Sequence, residues 1–260
     1  MNQTFNLNRF SKLFIKHTAD NFKTYSMAFS VLIGFLILSM GFVAYMSGGK
    51  LEVNFQIPFF MFILLQAGSI FTSIAFADLG NKKKAISSLT LPASHFEKYL
   101  IAWTYSYLIF QLLYVPAFYL VVMLINQIST LNPNQPDPKL LDLFDKDQGV
   151  YIVFLIYAVL HSIALLGSIY FEKLQFIKTA FSFFVAIFII TLANLQFLKA
   201  FISKEVHAGW LFGSVGIRTE NDSYKLNILE RNADHMVIMV VIIVIILWTC
   251  TFYRLKEKEV

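Results

Sequence analysis

His161 is the one titratable side chain of its kind inside a long apolar run: six such runs cross the sequence, and none contains Asp, Glu, Lys or Arg. An imidazole at membrane depth can carry a coupling proton, or it can sit neutral and hydrogen-bonded to a neighbouring helix. Ion-coupled carriers place an ionisable group near the membrane centre, and here only His161 is available for that work. A second set of polar groups, Gln66, Ser69, Thr72 and Ser73, gives the second run a small-residue polar stripe, and Gln111 adds an amide to the third. Ser69, Ser73 and Ala77 repeat every four positions. That spacing suits close helix packing as well as a substrate path. Enzyme signatures are missing. The sequence has no G-x-x-x-x-G-K-[ST] phosphate loop, no H-E-x-x-H, no paired cysteines and no G-x-S-x-G, so neither ATP binding through such a loop nor these hydrolytic chemistries is expected of this chain.

The elements that must hold these residues are set by hydrophobicity. Hydrophobic residues make up 57% of the 260 and charged residues only 14%, where a soluble domain carries roughly 25% charged. The chain reads as an all-α integral membrane protein, a single transmembrane domain over 1–260. Its six spans are Thr24–Met46, Ile57–Ala77, Tyr99–Asn126, Gly149–Phe171, Thr179–Leu198 and Met236–Tyr253, each near the roughly 20 residues a helix needs to cross. Alternation suited to a barrel is absent, which leaves helices as the spanning structure. The first run is too long for a signal-peptide core and is read as a retained span. Cys250, the only cysteine, excludes an intrachain disulfide.

Thirteen of the 21 basic residues fall on the side that holds both termini, giving +7 there and −2 opposite. The positive-inside rule then puts both termini in the cytoplasm. The same bias accounts for the net charge of +5, so nucleic acid is not a needed partner. In residues 1–23, Arg9, Lys12, Lys16 and Lys23 fall within an arc of about 60° on a helical wheel, mostly opposite Leu7, Phe10, Phe14 and Phe22. A helix lying in the cytoplasmic interface before the first span is expected.

Residues 78–98 form the most informative cytoplasmic stretch. Gly80 suits a left-handed helix end after the second span, and Asn81 can cap a short helix from Lys82 to Leu89 with Ile86 and Leu89 on one face. Pro92 ends that piece. Ser94 and Glu97 match a capping box, from which the third helix should run unbroken to Asn126. Outside, "QISTLNPNQPDPKLLDLFDKDQ" reads as a solvated loop, and residues 199–235 hold "AGWLFGSVGI", a run too short to cross that could dip into the interface with Trp210 at headgroup level.

This arrangement resembles the membrane subunit of ABC exporters of the type-2 permease family, and "LTLPASHFEKYL" and "FYRLKEKEV" look like those of small permeases from Bacteroidetes-type bacteria. The resemblance implies an N-terminal elbow helix and a coupling helix pressed by a separate ATPase subunit. It also implies a homodimer or heterodimer with a second permease in a bacterial inner membrane, and export as the direction. On that reading Lys82, Lys83, Lys84, Ile86, Leu89 and Leu91 would belong to the coupling segment. Pro92, Ser94 and Glu97 would form the joint to the third helix, and "AGWLFGSVGI" would match a re-entrant external hairpin. ATP and Mg would bind the partner, with no cofactor on this chain, which would be a transporter subunit and not itself an enzyme. An amphipathic or lipid-like substrate suits the apolar spans. An ion-coupled secondary transporter and a non-transporting scaffold or sensor subunit are the alternatives.

Overall fold

The computed structural model describes residues 5–49, 51–80, 85–86, 90–128, 139–145, 148–201, 206–208, 215–218, 223–226 and 228–258. Asn81, Lys82, Lys83, Lys84, Leu89 and Trp210, named above, lie outside the described residues. Among the described residues six helices are long and apolar enough to cross a membrane: α1 (Leu7–Met46), α2 (Val53–Ser73), α3 (His95–Ile128), α4 (Ile152–Tyr170), α5 (Gln175–Phe201) and α6 (Ile228–Glu257), the last with its apolar part over His235–Glu257. The molecule is an all-α membrane protein, with one small sheet in the segment before α6.

α1 departs from the expected elbow. Its 40 residues form one helix from the cap at Asn6, whose side chain accepts from the amides of Asn8 and Arg9, to Met46. No proline interrupts it, so nothing removes a backbone donor and forces a turn. At 1.5 Å per residue it is about 60 Å long, twice the roughly 30 Å of a hydrocarbon core. Part of the apolar face of its first half packs on α3, where Phe14 lies 5.0 Å from Tyr105, and Phe5, just before the helix, lies 6.0 Å from Phe96, while Leu7 and Phe22 stay exposed. Lys12, Lys16 and Lys23 are exposed. Two glycines with positive φ, Gly48 (80°) and Gly49 (109°), end the helix, conformations open to glycine because it lacks a Cβ.

α2 stops at Ser73 and gives way to a 3-10 turn over Ala77–Gly80. Gly80 does not adopt the left-handed conformation expected of it. Its lack of a side chain serves another purpose: the backbone of Glu172, in the α4–α5 turn, lies where a Cβ would project.

α3 is continuous in direction but not in winding, which corrects the expectation of an unbroken α-helix. It starts at the Ser94 capping box, widens into a π-helical turn over Thr104–Ile109, and resumes α geometry from Phe110 to Ile128. In the π turn the Phe110 amide donates to the carbonyl of Tyr105, five residues back.

Two clusters make the core. Towards the Gln56 end, Leu36 and Met40 of α1, Phe60 and Leu64 of α2, Tyr114 and Phe118 of α3, and Tyr157 of α4 pack together. At the opposite end, Phe76, Tyr99, Ala102, Leu165, Ile169 and Leu255 gather with Trp103, Trp248 and Phe252 around them. α4 is the central helix, 56% of its apolar window being buried, against 6% for α5 and 11% for α6. It packs on α2, α5 and α6. Gly68 of α2 lets the Tyr157 and Phe110 rings lie against the α2 backbone.

Part of the loop read as solvated is pinned down. Leu141 and Leu143 are buried, and the fully buried Gln56 side chain donates to the carbonyls of Leu51 (2.8 Å) and Lys139 (3.0 Å) while accepting from the Leu141 amide (2.9 Å). In the segment 199–235, residues 199–201 end α5 and 228–235 begin α6, and the described parts between them are strands, β1 (Val206–Ala208), β2 (Val215–Arg218) and β3 (Ser223–Leu226). They form an antiparallel meander in which Val206 faces Ile217 and Val215 faces Leu226. The ends of "AGWLFGSVGI" thus belong to β1 and β2.

Candidate functional site

Two polar assemblies join the helices, and both involve α3. The first surrounds His161. Trp248 of α6 donates its Nε1–H to His161 Nδ1 at 3.1 Å. An indole nitrogen can only donate, so Nδ1 holds a lone pair and the neutral ring carries its proton on Nε2. That tautomer is assigned from the hydrogen-bond network. Nε2 then donates to Ser106 Oγ at 2.8 Å, and Ser106 Oγ donates to the Ala102 carbonyl at 2.7 Å. His161 is fully buried, and its two ring nitrogens are both engaged. Adding a proton at Nδ1 requires breaking the Trp248 bond. The π turn positions this assembly: within it lies Ser106, whose carbonyl accepts from Tyr157 OH at 2.7 Å. Tyr107 lies edge-on to both His161 and Trp248, at 5.0 and 5.4 Å. The whole unit ties α3, α4 and α6 together.

The second assembly surrounds Glu97. Its carboxylate is fully buried and receives three donors: the Ser94 amide at 2.9 Å, the Asn6 amide at 2.8 Å and Arg9 Nη2 at 3.0 Å. In return, Ser94 Oγ accepts from the Glu97 amide at 3.2 Å. The expected capping box is therefore present, and it also clips the start of α1 to the start of α3. Charge-assisted bonds of this kind are among the stronger ones a buried carboxylate can make. Phe96 brings in α6 through an edge contact with Phe252 at 5.9 Å. A further contact between α1 and α3 lies one level deeper, where Tyr105 OH bonds Thr18 Oγ1 and the Tyr105 ring stacks on Tyr25.

Of the stretch 78–98, the described residues place Ile86 exposed, Ala85 buried, Leu91 half-buried and Pro92 exposed. Thr90 closes on Ile86 through its amide and its hydroxyl. The stretch leads directly into the Glu97 assembly.

The polar stripe of α2 is satisfied within its own helix. Ser69 Oγ donates to the Leu65 carbonyl, Thr72 Oγ1 to that of Gly68 and Ser73 Oγ to that of Ile70. Thr72 and Ser73 are fully buried, whereas Gln66 is exposed. Gln111 Nε2 is buried with no hydrogen-bond partner among the described residues. Among the described residues no group of three His, Cys, Asp or Glu side chains is arranged to hold a metal.

The contacts of Ser106, Trp248, Asn6 and Gln56, and the pairing of Arg9 with Glu97, are not part of the sequence reading. For Arg9 there was a signal, since it and Glu97 are opposite charges placed on one side of the bilayer. Ser106 and Trp248 had none, because their role depends on a contact made across 55 and 87 residues with His161.

Comparison with known protein families, with curated proteins and with solved structures gives no match for this chain. The class defined by fold and composition is a helical multi-pass membrane protein.

Proposed function

We propose that this chain is the membrane permease subunit of an ATP-driven ABC exporter, with both termini cytoplasmic and a separate ATPase subunit, carrying ATP and Mg, acting on residues 78–98. The observation that carries the reading is the Glu97 assembly. A force applied to residues 78–94 meets, at Ser94 and Glu97, a buried joint that engages α1 and α3 at once. A mechanical input needs such a stiff coupling, since a loosely tethered loop would absorb the displacement. The neutral, fully bonded state of His161 weighs against an ion-coupled carrier, which needs an accessible site for its ion. The lack of intramembrane charge supports an amphipathic substrate.

The test is affinity purification of the tagged full-length chain from its native membrane in mild detergent, with identification of co-purifying proteins and an ATP hydrolysis assay. The reading predicts a stoichiometric partner with a phosphate-loop motif, lost when Lys82, Lys83 and Lys84 are changed to glutamate or Ile86 and Leu89 to aspartate. A chain that purifies alone, without ATPase activity, would overturn it in favour of a scaffold or sensor.

A further inference from the structure

We infer that α4, α5 and α6 form a binding groove for one anionic phospholipid, drawn from the leaflet at the Glu97 end of the bundle. A cavity of about 1140 Å³, open along one side, lies between these helices. Its α4 wall comes from residues 163–171, its α5 wall from 179–190 and its α6 wall from 245–257. All three intervals belong to the same half of the bundle, the half in which Phe252 meets Phe96. Residues 245–257 of α6 span about 18 Å, close to the roughly 15 Å of one leaflet's hydrocarbon. The groove therefore matches an acyl chain anchored at one surface, not a path through the membrane.

The chemistry changes along its length in the order a phospholipid requires. Deep in the groove the walls are aliphatic and aromatic, with Ile163, Ile187, Ile190 and Ile246 among them. At the mouth two cations sit over aromatic rings that line it: Arg254 at 5.7 Å from the Tyr170 centroid, and Lys178 at 5.8 Å from that of Phe171. One acid, Glu257, bonds Arg254 Nη1 at 3.3 Å. That pair is exposed on both sides, 49% and 65%, and an exposed pair contributes little. The guanidinium has five N–H donors, which leaves it able to take a phosphate in bidentate fashion. The mouth thus carries a net positive charge beside an apolar slot of leaflet depth. Thr179 seats against Gly167, fixing the approach of α5 to α4 there. The proposal concerns the chain alone and does not depend on an ATPase partner.

The test uses the full-length chain, purified and exchanged into lipid-free detergent, then mixed with equal amounts of phosphatidylglycerol and diacylglycerol bearing the same acyl chains. Native mass spectrometry reads the bound species. Wild-type protein should hold one phosphatidylglycerol in about tenfold excess over diacylglycerol. Arg254→Gln with Lys178→Gln should remove that preference, and Ala186→Trp, which fills the groove and leaves both cations in place, should lower retention of both lipids. Equal retention of the two lipids by wild type would overturn the proposal without recourse to any variant. So would glycerol phosphate binding as well as the lipid, since the groove would then contribute nothing. Loss with the charge variant but not with Ala186→Trp would mean a headgroup adsorbed outside the groove, and the reverse would mean an unselective acyl contact; either result overturns the site.

Discussion

Arg9 and Glu97 test how a buried charge is held. Glu97 is fully buried, while the Arg9 side chain is 33% exposed, so the two changes are unequal. Arg9→Met strips the cation from a carboxylate that keeps the Ser94 and Asn6 amides and should cost about 1–3 kcal/mol. Glu97→Gln should cost less, and adding it to Arg9→Met should recover part of the loss. Thermal unfolding of the three purified variants in one detergent would measure this, and simple additivity would argue against direct coupling. At His161, Trp248→Phe keeps an aromatic ring but leaves Nδ1 without its donor, at a cost of about 1–3 kcal/mol. Melting that is unchanged would mean the indole bond contributes nothing. The Ser94–Glu97 box was legible because it is encoded within four consecutive residues. Its extension to Asn6 was not, because no local pattern specifies so distant a contact, and the opposite charges of Arg9 and Glu97 do not by themselves select each other across 88 residues.

At the level of elements, the π turn and Gly80 are the features with consequences. A π turn amounts to one extra residue absorbed in an α-helix, so deleting Thr104 should let α3 wind regularly with Glu97 still in phase with Arg9. Deleting Leu120, exposed in the regular part of α3, should instead turn the residues on one side of it by about 100°. Thermal unfolding of both purified deletions in one detergent reads the difference. A fall in Tm as large for the Thr104 deletion as for the Leu120 deletion would show that the turn does not hold the extra residue. Gly80→Ala places a methyl group against the Glu172 backbone, which cannot rotate aside as a side chain would. A loss of about 1–3 kcal/mol is expected from such overpacking, readable as a lowered Tm. Neither feature was legible. A π turn has no composition of its own in "TYSYLI", and Gly80 was read through its conformational freedom when the reason for it lies in a neighbour 92 positions away. The continuity of α1 is not legible for a related reason: an amphipathic face at Phe10 and Phe14 looks the same whether the helix turns at an interface or runs on into the first span.

For the whole molecule, stability should be concentrated around α4. Tyr157, fully buried between α2 and α3, should cost about 3–5 kcal/mol as Tyr157→Ala. Phe184 on α5 is 67% exposed, and Phe184→Ala should stay within about 0.5 kcal/mol. Comparable losses at the two positions, measured in the same detergent, would mean that α5 is covered by a second chain. The six spans were legible because membrane-length apolar runs are a local property of the sequence. Which helix lies at the centre was not, since α4 and α5 are equally apolar to the eye.

The two ends of α1 are both fastened to α3. At one end Glu97 takes the amide of Asn6, and just beyond the other the Asn126 side chain accepts from the amide of Leu51 at 3.1 Å. Two parallel rods pinned together at top and bottom behave like opposite sides of a linkage: they can lean together, but one cannot slide along the other. Any lengthwise mismatch between them has to be taken up inside a rod, and the wider winding at Thr104–Ile109 is where α3 has slack to give.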